Sequence, residues 1–135
     1  MVEIPDVYMD MLLEKRAFAH LATVMPDGSP QNTPVWFDFT DGKIRVNSAL
    51  GRTKVRNMKL GAKVALSIMD PDNPDRYVQL RGTVTAVAMS AAWRRGEAAM
   101  IWSSYSTIRL REASCGICLA GWWQGMNPPE TSAAR

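Results

Sequence analysis

QNTPVWFDFTDGKIRVNS, residues 31–48, is the stretch on which the fold turns. Its centre, Thr40-Asp41-Gly42-Lys43, is hairpin chemistry, because Asp-Gly accepts the positive φ angles that a tight two-residue turn demands. After the turn, Ile44-Arg45-Val46-Asn47-Ser48 puts apolar side chains on alternate positions, as a half-buried strand does. Before it, residues 31–39 alternate weakly through Val35, Trp36, Phe37 and Phe39, which predicts the partner strand. Upstream, residues 17–25 are apolar and β-prone (Phe18, Leu21, Thr23, Val24), and Pro26-Asp27-Gly28-Ser29-Pro30 ends that strand in a turn. Three strands joined by tight turns predict an antiparallel meander.

The chain continues in the same style on both sides. Pro5-Asp6 followed by Val7, Met9, Leu12 and Leu13 predicts a short amphipathic helix at the N-terminal end. After Gly51 the period changes to that of a helix, with Val55, Met58 and Leu60 on one side, Arg52, Lys54, Arg56 and Lys59 over the rest, and Gly61 as the stop. Residues 63–69 predict a buried strand and residues 70–75, rich in Asp, Pro and Asn, a loop. Residues 76–88 predict a long strand with a bulge or bend at Gly82. Five strands around one short helix predict a mainly β fold, a small antiparallel barrel with short helices.

With 135 residues, 47% apolar and 21% charged, the chain has the size of one domain, residues 1–135, able to bury roughly two-thirds of its unfolded surface. No run of about 18 apolar residues is present to span a bilayer. The first residues are acidic, unlike a signal peptide, and Cys115 and Cys118 are too few for a disulfide framework, so a cytoplasmic location is expected. Beyond Ala88 the text changes: four of the five tryptophans (Trp93, Trp102, Trp122, Trp123) and both cysteines lie there. A helix over residues 91–102 and a closing strand over residues 107–119 are expected in that segment.

Charge is distributed unevenly. Between Asp41 and Asp70 stand Lys43, Arg45, Arg52, Lys54, Arg56, Lys59 and Lys63 with no acid, while the remainder of the chain is net acidic. Such a cluster fits either a docking surface for an anion or a solvated charged helix. A nucleic-acid partner is disfavoured, because no exposed aromatics are interleaved with the basic residues for base stacking. Within Asn47-Ser48-Ala49-Leu50-Gly51-Arg52-Thr53-Lys54-Val55-Arg56-Asn57, helix-start amides, hydroxyls, Arg and Lys together supply what a phosphate requires. Neither a P-loop nor a G-x-G-x-x-G fingerprint occurs.

Six segments then come into line. They are Phe18-Ala19-His20-Leu21-Ala22-Thr23-Val24, Asp27-Gly28-Ser29-Pro30-Gln31, Thr33-Pro34-Val35-Trp36-Phe37, Asn47-Ser48, Arg52-Thr53-Lys54-Val55-Arg56-Asn57, and Asp70-Pro71-Asp72-Asn73-Pro74 through Arg76-Tyr77 to Arg81-Gly82. In this order, residues 4–88 resemble the flavin and deazaflavin oxidoreductases of the pyridoxamine 5'-phosphate oxidase-like, FMN-binding split-barrel superfamily, in the branch that uses the deazaflavin coenzyme F420. The resemblance implies a homodimeric split barrel with the cofactor in a cleft between subunits. It places the cofactor phosphate on Lys54 with Arg52, Arg56 and Asn57. The ring then lies along Gln31, Thr33, Pro34, Val35 and Trp36 and beside Asn47, Ser48 and Ala49. A small organic electron acceptor sits over the ring, with Trp36 and Tyr77 as walls. Because the cofactor carries the redox chemistry, no catalytic acid, base or nucleophile is implied.

Departures from the family text separate its branches. The pyridoxamine-phosphate oxidases proper carry an Arg and, five residues on, a Lys that grip FMN; the matching positions here are Thr33 and Asp38. An acid there opposes a flavin phosphate, so F420 is favoured, with FMN as the alternative and a non-catalytic flavin- or haem-binding module as the other class. From Met89 onward the text leaves the family pattern, which raises the expectation of a divergent or frame-shifted end that compromises barrel closure. His20, alone in an apolar strand, reads as an ordinary strand histidine, and no metal site is expected. Cys115-Gly116-Ile117-Cys118 has no second ligand pair for zinc and reads as two unpaired thiols.

Overall fold

A computed structural model describes residues 2–93 and 100–117. A 3-10 turn, Asp6–Tyr8, leads into the single-turn helix α1, Asp10–Leu13. The strands are β1 (Ala19–Val24), β2 (Pro30–Val35), β3 (Phe37–Thr40), β4 (Lys43–Ala49), β5 (Lys63–Met69), β6 (Arg76–Trp93) and β7 (Met100–Ile117), with the helix α2 (Thr53–Asn57) between β4 and β5. They form one antiparallel sheet in the order β2-β1-β5-β6-β7-β4-β3.

That order corrects the expected meander. The stretch 31–39 is not one strand: it breaks at Trp36 into β2, which pairs with β1, and β3, which pairs with β4. These two strands are the opposite edges of the seven-stranded sheet, yet a single residue joins them. A sheet whose two edges are held one residue apart has to curl into a barrel. Trp36 is therefore the seam of the barrel. The Asp41-Gly42 turn forms as its chemistry demands, with φ of +53° and +69°.

The interior is filled by alternate residues of each strand. Leu21, Leu66 and Leu80 face one another across β1, β5 and β6, and the next inward row is Ala19, Ile68 and Val78. Ile44, Val46, Val84 and Ile108 complete the other half, and Met11 and Met58 plug gaps from the two helices. Each buried Leu or Ile contributes about 1.5–3 kcal/mol of transfer free energy.

The long hairpin of β6 and β7 links the halves. Its β6 arm pairs with β5 through residues 77–83, and its β7 arm pairs with β4 through residues 103–109. The β6–β7 ladder itself slips twice, between Arg81 and Gly82 and between Val84 and Ala86, leaving Arg111 on β7 and Thr85 on β6 as extra residues. This bears out the bulge expected at Gly82. It also corrects the expected helix over residues 91–102: residues 91–93 and 100–102 are strand, paired with one another, because cross-strand pairing overrides the helix preference of alanine-rich text. The closing strand expected from residue 107 starts earlier, at Met100, and joins both β6 and β4. Barrel closure is thus not compromised over the described part of this segment. Cys118, Trp122 and Trp123 lie outside the described residues.

An ion cluster ties the N-terminal segment to the barrel. Asp70, only 2% exposed, accepts two hydrogen bonds from Lys15 Nζ (2.8 and 2.9 Å), one from Arg76 Nη1 (2.7 Å) and one from the Asp72 amide (2.9 Å). Arg76 also donates to both carboxylate oxygens of Asp10, at 2.7 and 3.0 Å, and to the Val7 carbonyl. The Lys15 ammonium, above all, holds the Asp70 carboxyl well below the usual carboxylate range, and Arg76 does the same to Asp10. A depressed carboxylate stabilises the fold above its unfolded pKa of about 4, and that contribution is lost as pH falls below it. The thermal midpoint of the protein is therefore expected to drop steeply between about pH 5 and pH 2. In Asp70→Asn the midpoint is lower at neutral pH and the acid slope is shallower; an unchanged slope in a melting series would show that Asp70 is not the sensing group.

Candidate functional site

Helix α2 is a single turn, too short for its dipole to contribute much, so the cations themselves carry the site. The expected apolar side of α2 is corrected: Leu60 is 69% exposed, whereas Lys54 is buried at 8% exposure. Lys54, Asn57 and Met58, at i, i+3 and i+4, share the face that packs on the barrel. Met58 enters the core. Asn57 Nδ2 donates to Thr23 Oγ1 (3.0 Å) and lies 3.2 Å from Met25 Sδ. Thr23 Oγ1 in turn donates to Gln31 Oε1 at 2.7 Å, so Asn57 fixes α2 to β1 and, through Thr23, to β2.

Lys54 Nζ donates to Thr33 Oγ1 at 3.1 Å, and no carboxylate pairs with it among the described residues. Burial, and secondarily the nearby charge of Arg52, pushes the Lys54 ammonium below the ordinary lysine range. A buried cation with a single neutral partner is costly, and an anion at that position removes the cost. Arg52 is exposed beside it. Arg56 is exposed too, folded back to donate to the Gly51 carbonyl (3.3 Å) and to Thr53 Oγ1 (3.2 Å). The fit to a phosphate group rests on this donor set: one buried ammonium, a hydroxyl at its tip, and the Arg52 guanidinium beside them.

Thr33 stands on β2, opposite Leu21, with Gln31 and Val35 on the same side of the strand. As a sheet edge, β2 has one strand neighbour, so alternate backbone groups point away from the sheet and are open to a ligand, except that Pro34 brings no N–H. Ser48 is buried and Ala49 half-buried near the end of β4, while Asn47 is exposed. Ser48 lies opposite Ser104, whose hydroxyl is buried without a partner.

At the barrel seam Trp36 is 58% exposed and stacks on Phe18, ring centroids 4.0 Å apart at 39°. It forms one wall of a cleft of about 300 Å³ lined by Phe37, Asp38, Arg45, Asn47 and Tyr105. Asp38 and Arg45 form a bidentate pair across β3 and β4, at 2.8 and 2.5 Å. This corrects the inference drawn from Asp38: its charge is answered by Arg45, so it does not stand as a bare acid against a phosphate. Tyr77 is half-buried on β6, opposite Met69, and is not in the wall of this cleft. Tyr105, facing Asn47 from β7, takes the place in this wall that was expected of Tyr77. No sequence signal marked Tyr105, because the register of β7 against β4 brings it there. His20 is half-buried on β1; no cluster of metal-ligating side chains occurs among the described residues. Among them, no helix is long and apolar enough to cross a membrane. Cys115 is a free, half-buried thiol, and burial raises its pKa.

The family model described as pyridoxamine 5'-phosphate oxidase matches residues 8–114, and so extends past Ala88 over residues 89–114, which corrects the expectation that the family pattern ends at Met89. An F420 reductase of known structure is 31% identical, with a TM-score of 0.70 over 82% of this chain and 98% of that one. HupZ of Group A Streptococcus superimposes with a TM-score of 0.63 at 17% identity, over 85% of this chain and 98% of that one, a likeness of fold. No curated protein matches the chain.

Proposed function

The chain belongs to the pyridoxamine 5'-phosphate oxidase family, and from that premise we propose that it is an F420-dependent oxidoreductase acting on a small organic acceptor. The observation that carries this reading is the buried, unpaired charge of Lys54 beside the free edge of β2. The 31% identical F420 reductase supports the choice of cofactor. When bound, F420 supplies the hydride chemistry, and the protein positions it.

In this reading Lys54 Nζ and Thr33 Oγ1 hold the phosphate, and Arg52 and Arg56 close over it from the rim. Asn57 sets the height of α2 above β1. The backbone of Gln31, Thr33, Val35 and Trp36 runs beneath the ring, and Asn47, Ser48 and Ala49 flank it. Trp36 and Tyr105 wall the acceptor pocket and keep water from it, with Tyr77 outside that wall. The single domain acts as a homodimer, a proposal supported by the exposed apolar group of Phe18 (46%), Trp36 (58%) and Met69 (43%), which a second subunit would cover. FMN is the second reading, favoured by one observation: Arg45 neutralises Asp38 and so removes the electrostatic objection to a flavin phosphate.

Absorption and fluorescence titrations with F420, FMN and haem separate these alternatives. Saturable F420 binding is expected, weakening as ionic strength rises because part of the attraction is screened. Oxidation of reduced F420 by a panel of small acceptors then reports activity. If neither F420 nor FMN binds while haem does, the oxidoreductase reading fails.

A further inference from the structure

A second basic concavity lies apart from Lys54, on the outer surface where β5, β6 and β7 run together. The two ladder slips put Thr85 and Arg111 out of register on facing strands and open a hollow of about 590 Å³ between them. Lys63, Arg109 and Arg111 line it, with Thr83, Thr85 and Gly61. The register explains why these cations meet. Lys63 lies opposite Thr83, Thr83 opposite Arg109, and Arg109 opposite Lys43, so one row across four strands carries three positive charges on one face. Bulges commonly re-aim side chains toward a ligand.

Three further observations point to an occupant. No carboxylate lines the hollow, although the chain has 13 acidic residues. None of Lys63, Arg109 and Arg111 forms an ion pair among the described residues. The Thr83 hydroxyl oxygen is buried and has no hydrogen-bond partner. Arg109 and Lys43, directly opposite across β7 and β4, repel one another, and an unanswered buried hydroxyl is unfavourable; a multivalent anion bound at Arg109 and Thr83 relieves both.

We propose that this hollow is a second anion-binding site, taking a small molecule that bears at least two phosphate or carboxylate groups. The guanidinium groups of Arg109 and Arg111 offer bidentate donors, Lys63 a mobile point charge, and Thr83 a hydroxyl donor at the floor. Lys54 belongs to other elements, α2 against β1 and β2, so this inference stands independently of the proposed cofactor reading.

The test is isothermal titration of the full chain with pyrophosphate and with citrate at low salt. Because pyrophosphate can also occupy the Lys54 site, the decisive titration is run on Lys54→Met, where one saturable site per chain is expected for pyrophosphate, citrate or both; preference for one identifies phosphate or carboxylate as the recognised group. In that background Arg109→Gln combined with Arg111→Gln is expected to weaken the remaining site at least about tenfold, and Thr83→Val several-fold. Both arginines are exposed, so the unliganded melting temperature should hold; should the double variant fail to fold, Lys63→Gln gives the same readout. The proposal is overturned if neither anion saturates, or if Lys54→Met abolishes binding and the arginine variants do not. It is equally overturned if sedimentation shows that the arginine variants alter the association of two copies while pyrophosphate fails to bind, since the hollow is then covered by a second chain.

Discussion

Gly82→Ala is expected to lower folding stability by about 3 kcal/mol or more, a shift of roughly 10 °C in thermal midpoint for a chain of this size. The reason is local and geometric. A Cβ at position 82 would stand 2.5 Å from Ile108 Cγ2 and 2.6 Å from the Arg109 carbonyl oxygen. The Ile108 methyl could turn aside, but the carbonyl belongs to the β7 backbone and moves only if the strand moves. Gly82 sits at the first ladder slip, where the β7 backbone lies close against β6. Separating them opens the core at Val84 and Ile108, both essentially fully buried. Chemical denaturation compared with Ser67→Ala, an exposed position on β5, isolates the effect; a loss below about 1 kcal/mol would mean that the bulge is more pliable than its contacts indicate.

The largest expected effect on ligand binding comes from Lys54. Lys54→Met keeps most of the length of the side chain and removes its charge, and Lys54→Ala removes both. Cofactor affinity is expected to fall by about 1.5–3 kcal/mol in either variant, roughly ten- to 150-fold, through loss of a charge-assisted contact. The free protein should respond in the opposite sense: Lys54→Met relieves a buried charge whose one partner is the Thr33 hydroxyl, so its melting temperature is expected to hold or rise. This pairing of weaker binding with undiminished stability marks a residue kept for a ligand. Affinity should also decline with rising pH earlier than for an exposed lysine, because burial lowers the pKa of the ammonium that the phosphate needs. Equal affinity of wild type and Lys54→Met in a fluorescence titration would remove Lys54 from the site.

Local chemistry made part of this molecule legible in its sequence. Asp41-Gly42 forms its turn because few other residue pairs accept two positive φ angles, and Gly82 marks the bulge because no side chain fits there. The basic cluster around Lys54 was visible as charge. Its burial was not, since one helical turn is too short for periodicity to define a face. The break at Trp36 was also hidden: nothing in the strand-like run through Val35, Trp36 and Phe37 says that its two halves join opposite sheet edges. Tyr105 and the row Lys63, Thr83, Arg109 depend on register between strands far apart in the chain, which no local window contains. The alanine-rich text near residue 91 misled for a related reason, because the partner strand supplies what local propensity withholds.

The seam at Trp36 also bears on how a ribosome delivers this protein. β2 and β3 emerge side by side, yet β1 must wait for β5, and β4 for residues 103–109, before either hairpin gains its second neighbour. The hairpin of β1 and β2 stays uncovered until about half of the chain has left the exit tunnel, and that of β3 and β4 until most of it has. Such distant pairing slows maturation and lengthens the interval in which a chaperone is useful.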